Sequence, residues 1–90
     1  MLAALAGARD DCRLLVEALD RLPARSRAIL LELRLQACLG DPSPSHTVAD
    51  DHGLRPDHVR QLAKRARERL RALAAADPRF AVLADMALVA

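Results

Sequence analysis

The stretch Val48-Ala49-Asp50-Asp51-His52-Gly53-Leu54-Arg55-Pro56-Asp57-His58-Val59-Arg60-Gln61-Leu62 decides how this chain folds. A helix-turn-helix needs a small residue where its second helix crosses the first, and Ala49 stands there, preceded by apolar Val48. Four residues on, the backbone must turn with a positive φ, which glycine adopts at no steric cost, and Gly53 holds that place. Leu54 is the apolar plug behind the turn, and Val59 and Leu62 are the spaced core-facing residues of the second helix. One position departs from the pattern: His52 stands where an apolar side chain usually points inward. A part-buried imidazole there is expected to be neutral or hydrogen-bonded, because burying its charge is costly.

Working outward, Val59, Leu62, Ala63, Ala66, Leu70 and Leu73 recur at helical spacing and predict a helix from about Pro56 to Ala75. Upstream, a short helix is expected over Pro44 to His52, with Ser43 as cap and Pro44 in the first position. Asp41-Pro42-Ser43-Pro44 reads as a loop, and Gly40 terminates a helix running from about Ala24 to Leu39. That helix is apolar twice over. Ile29, Leu30, Leu33 and Ala37 mark a core face, while Leu31, Leu35 and Cys38 form a second edge, so it is either sandwiched or offers one side to a partner. Cys12, Leu15, Val16, Leu19 and Leu22 place an earlier helix over about Ala8 to Leu22, ended by Pro23. Leu2 and Leu5 extend its stripe backwards, with Gly7 weakening the continuity. After Asp77-Pro78, residues Arg79 to Ala90 suit a final apolar helix with stripes Phe80, Leu83, Ala87 and Val82, Met86, Val89. It either folds back onto the core or forms a dimer or partner surface.

The expected fold is therefore all-α: a small bundle of four to five helices in a single 90-residue domain. Its parts are a helical half (8–39), a helix-turn-helix (44–75) and an apolar C-terminal helix (79–90). Composition agrees, since 52% of residues are hydrophobic, mostly Leu and Ala, with Phe80 the sole aromatic. Ninety residues leave no room for a cleft between lobes. No apolar run approaches the ~20 residues of a membrane span. Met1-Leu2-Ala3 lacks the basic leader of an export signal, and a cytoplasmic protein without membrane contact is expected. Cys12 and Cys38, on apolar faces, are expected to be buried free thiols.

Charge is concentrated. Between Arg55 and Arg71 lie seven basic and two acidic residues, a segment of +5 on a chain of +2. A local basic stripe on a near-neutral protein is the footprint of a polyanion-binding face, though a solvated helix with ion pairs has the same composition.

Two motifs give a family resemblance. Leu19-Asp-Arg-Leu-Pro23-Ala-Arg25-Ser-Arg27-Ala-Ile-Leu30, continuing to Leu33-Arg34-Leu35, resembles the first half of bacterial sigma-factor region 4. Val59-Arg60-Gln61-Leu62-Ala63-Lys64-Arg65-Ala66-Arg67-Glu68-Arg69-Leu70-Arg71 resembles that family's recognition helix. The resemblance covers about residues 14 to 73 and implies a recognition helix in the major groove of double-stranded promoter DNA. By it, Asp57, Arg60 and Gln61 contact bases or backbone, with Arg55 and His58 beside them. Lys64, Arg65, Arg67 and Arg71 attract phosphates. Arginine donating to guanine, glutamine pairing with adenine and a carboxylate accepting from cytosine are sound readout chemistry. The family also holds the tip helix of the RNA polymerase β-subunit flap in an apolar groove. Ile29, Leu31, Leu35 and Cys38 suit that role, and Phe80, Leu83 and Met86 suit a further partner surface. The chain departs from the pattern after the turn, where Arg55 and Pro56 replace a Ser or Thr cap and a basic residue.

Other chemistries find little support. His46, His52 and His58 recur every six residues, which sets them on different helix faces, and no metal or cofactor is expected. Ser43, Ser45 and Thr47 read as caps and surface hydroxyls, and the three glycines form no phosphate loop, so no enzyme is expected. Two competing readings share the fold. One is a regulator that binds the polymerase, a sigma factor or an anti-sigma partner with little DNA affinity of its own. The other is a repressor-like homodimer.

Overall fold

A computed structural model describes the backbone of residues 2–89 and the side chains of residues 7–89. Its elements are α1 (Leu2–Leu19), α2 (Ala24–Cys38), α3 (Pro44–His52), α4 (Pro56–Ala76) and a 3-10 segment (Pro78–Asp85) that runs into turns. Among the described residues there is no strand, and the fold is all-α.

The helix breaks have local causes. Gly40 and Gly53 adopt left-handed conformations, with φ of 83° and 66°. At Gly53 the Leu54 amide donates back to the Ala49 carbonyl (2.9 Å) and the Gly53 amide to Asp50 (3.4 Å). At Gly40 the Asp41 amide reaches Gln36 (3.0 Å) and the Gly40 amide reaches Ala37 (3.2 Å). Both ends thus close with the same pair of reversed bonds, which satisfy carbonyls the helix leaves free. Ser43 precedes α3 as expected, but its side chain makes no capping bond. Asp41 serves instead. Its carboxylate accepts from the Ser43 amide (2.8 Å) and from the Thr47 hydroxyl, bracketing the first turn of α3.

α4 is the axis of the core. Val59, Ala63, Ala66, Leu70 and Ala74 are buried along one stripe, against Ile29 and Leu30 of α2, Val48 and Ala49 of α3, and Phe80 and Leu83. Each large side chain sealed in this way contributes roughly 1.5–3 kcal/mol through removal from water. α1 packs on the 3-10 segment and on α4 rather than on α2, its neighbour in sequence. Phe80 anchors that contact, with Arg21 and Arg79 stacked 4.8 and 4.5 Å from its ring centroid and Arg79 paired to Glu17 at 3.0 Å.

Several expectations are corrected. α1 runs unbroken through Gly7, while the Leu2 and Leu5 side chains lie outside the described residues. The buried side of α1 centres on Ala18 and Leu19, which turns Cys12 and Val16 outward. Cys38 is exposed too, so both thiols are free but neither is buried. The final apolar helix is 3-10 rather than α, because its core contacts come every third residue. Within it Phe80 and Leu83, three residues apart, are buried, and a period of three is that of the 3-10 helix, where side chains at i and i+3 eclipse; beyond it, in extended and turn conformations, Met86 is half-buried and Val89 buried.

Candidate nucleic-acid interface

At about 100° per residue, the buried stripe of α4 leaves a broad outer face. Pro56 opens the helix at its first position, where a missing amide costs nothing, and the Gly53 turn sets α4 off from α3. Arg55, Asp57, His58, Arg60, Gln61, Lys64 and Arg65 are all exposed there. Asp57 in the first turn complements the positive end of the helix dipole. It also pairs with Arg60 one turn on, Nη1 to Oδ1 at 2.7 Å, an exposed pair that favours one direction of that guanidinium.

The basic stripe does not stay together along the helix. Arg67 is half-buried and turns toward α2, beside a cleft that Arg34 and Leu88 also line. Arg71 donates its Nε to the Val89 carbonyl (3.1 Å), tying down the turn after the 3-10 segment. Arg69 turns the other way and lines a notch with Arg21 and Leu22. Of the seven cations in the stripe, only Arg55, Arg60, Lys64 and Arg65 belong to the outward group at the N-terminal half of α4.

The partner-facing residues divide as well. Leu31 and Leu35 are 42% and 55% exposed, and Leu39, which the sequence reading did not single out, is 70% exposed beside Cys38. Ile29, Phe80 and Leu83 are fully buried in the chain's own core and offer no surface, and Met86 is half-buried. The core claims them because α2 and the 3-10 segment both close onto α4.

His52 finds the partner its position demands. Its Nε2 lies 2.5 Å from Oε2 of Glu32, a bond that joins α3 to α2 across the core edge. Sequence spacing does not foretell Glu32, since the two residues are twenty apart; the signal was only that His52 needed a hydrogen-bonding group. Among the described residues no three His, Cys, Asp or Glu side chains gather as a metal site. No helix there is long and apolar enough to cross a membrane.

Residues 18–72 match the family model described as sigma-70, region 4. Neither the curated proteins nor the solved structures contain a match to this chain. The matched span takes in the end of α1 and all of α2 and α3, with most of α4; it excludes the 3-10 segment and the turn beyond it.

Proposed function

The chain belongs to the sigma-70 region 4 family, and from that membership we propose that α4 reads promoter DNA while α2 holds the RNA polymerase β-subunit flap. The domain is a helix-turn-helix of the transcription apparatus. One observation carries the finer reading: beyond the Gly53 turn, Arg60, Gln61, Lys64 and Arg65 all project from one exposed side of α4. Arg60, aimed by Asp57, and Gln61 have the donors and acceptors for base edges in the major groove. Arg55, Lys64 and Arg65 flank them as phosphate ligands, with Asp57 and His58 at the rim. Arg67 and Arg71 add positive field but are committed to the body of the fold. For the flap, Leu31, Leu35, Cys38 and Leu39 supply an apolar strip on α2. The protein then works in the bacterial cytoplasm, where promoter DNA and polymerase lie.

The test is DNA binding as a function of salt. With four to six phosphates neutralised, log affinity falls against log salt with a slope of about −4 to −5. Replacing both Arg60 and Lys64 by Glu lowers affinity by about a hundredfold or more, since each lost contact is worth ~1–3 kcal/mol. Unchanged affinity in that double variant removes α4 as the DNA-reading element.

A second reading has an observation of its own. Two exposed leucines on one 15-residue helix, with a third, Leu39, just past its end, suit a chain whose main business is protein contact, with DNA affinity secondary. Gel shifts on promoter DNA beside a pull-down with the isolated flap separate the two.

A further inference from the structure

A cleft of about 180 Å³ opens between α2, α4 and the turn at residues 86–89, and neither proposed surface uses it. Leu33 and Leu88 form apolar walls, and Ala37 and Ala87 are too small to fill the space. Arg34, from α2, and Arg67, from α4, stand at the same cleft. Among the described residues neither guanidinium has an ion pair, whereas Arg27, Arg60 and Arg79 each have one. Ala87 and Leu88 lie beyond residues 18–72, so one wall of the cleft stands outside the span matched to the family.

Arg34 and Arg67 put two like charges on the lining of one cleft, and an anion bound there relieves their repulsion. Guanidinium groups present paired N–H donors that match a carboxylate, and the leucines favour an alkyl chain over water. A dry cavity of about 150 Å³ accommodates a six-carbon ring. The cleft here has a similar volume but is open on one side to water, so it takes a short aliphatic chain laid along its leucines.

We propose that this cleft binds a small aliphatic carboxylate, its charged end between Arg34 and Arg67 and its chain against Leu33 and Leu88. The ligand bridges α2 and α4, and because it binds only the folded chain it raises thermal stability by mass action.

Octanoate titrated into the full chain is the test, followed by thermal melting and by amide and methyl resonances. The expected result is saturable one-site binding, with shifts confined to Leu33, Ala37, Ala87 and Leu88 and a rising melting temperature. Octanamide (chain without charge) and acetate (charge without chain) bind at least about tenfold more weakly. Arg34→Gln, an exposed position, weakens octanoate by about tenfold or more. Arg25→Gln, on the far side of α2, leaves octanoate binding unchanged. Ala87→Met, which fills the hollow, abolishes it. Equal binding of octanoate and octanamide, unsaturable partitioning, or an unaffected Arg34→Gln variant overturns the proposal. So does an acidic amphipathic peptide that shifts these resonances where octanoate does not, since the cleft is then a protein-docking site. None of these readouts involves DNA or polymerase, so they stand or fall apart from the reading of α4.

Discussion

α2 and α4 lie against the same core, yet what each leaves outside is opposite in kind. α4 buries a stripe of valine, leucine and alanine and leaves arginines, a lysine and a glutamine in water. α2 buries Ile29 and Leu30 and still leaves Leu31 and Leu35 outside, with Leu39 exposed just past its end. The buried sides explain why the chain folds. The outer sides contribute little to folding and are where binding has to be sought. A hydrophobic residue on α2 and a cation on α4 are therefore both surplus to the fold, and each is a claim about a different partner.

The largest expected effect sets one leucine against another. Leu70→Ala on α4 empties a sealed site and costs about 2–5 kcal/mol, while Leu35→Ala on α2 stays within about 0.5 kcal/mol, both read from denaturant unfolding. Equal costs erase the distinction between inner and outer sides. Next comes a separation of partners. Leu31→Glu with Leu35→Glu weakens flap binding at least about thirtyfold, the weight of one dominant interface residue, and leaves DNA affinity and melting temperature near wild type. Parallel loss of DNA binding means the two surfaces act as one.

The joint between the helices gives a smaller effect. A Cβ at Gly53 meets nothing within 4 Å, so Gly53→Ala is opposed only by the left-handed backbone, at about 1–2 kcal/mol. Gly40→Ala is expected to match it, having the same open space and the same sign of φ. A negligible cost at Gly53 with a full cost at Gly40 shows that the turn into α4 relaxes while the end of α2 does not. The smallest effect is acidic. The Thr47 hydroxyl and the Ser43 amide, both donating to Asp41, hold its carboxyl below the ordinary aspartate value. A depressed pKa stabilises the fold above the unfolded value, and that contribution is lost as pH falls through the lowered one. From about pH 5 to pH 2 the wild type therefore loses melting temperature more steeply than Asp41→Asn.

The middle of the fold was legible because its punctuation is chemical. Pro23, Gly40, Pro44, Gly53 and Pro56 bound three helices expected at about 24–39, 44–52 and 56–75, and found at Ala24–Cys38, Pro44–His52 and Pro56–Ala76. The flanks were less so. Phe80, Leu83, Met86 and Val89 repeat every three residues, but the same stretch also contains α-spaced apolar pairs, and packing on α1 and α4 decides between them. Cys12 and Val16 lie on a helix whose inner side is set by small Ala18, a preference that residue size alone does not announce. In the candidate site, the exposure of Arg60, Gln61, Lys64 and Arg65 follows from their angles to Val59 and Leu70. The diversion of Arg67 and Arg71 does not, because it depends on where residues 86–89 return in space.

That return has a consequence for how the molecule comes together. α1 is the first described element, yet the aromatic ring it rests on, and the arginine that pairs with Glu17, belong to the last one. During synthesis an emerging α1 finds only a partial berth, on α4, until Phe80 leaves the ribosome. Assembly therefore starts among α2, α3 and α4, and the opening helix is stowed at the end, a long-range closure that slows the final step relative to the local ones.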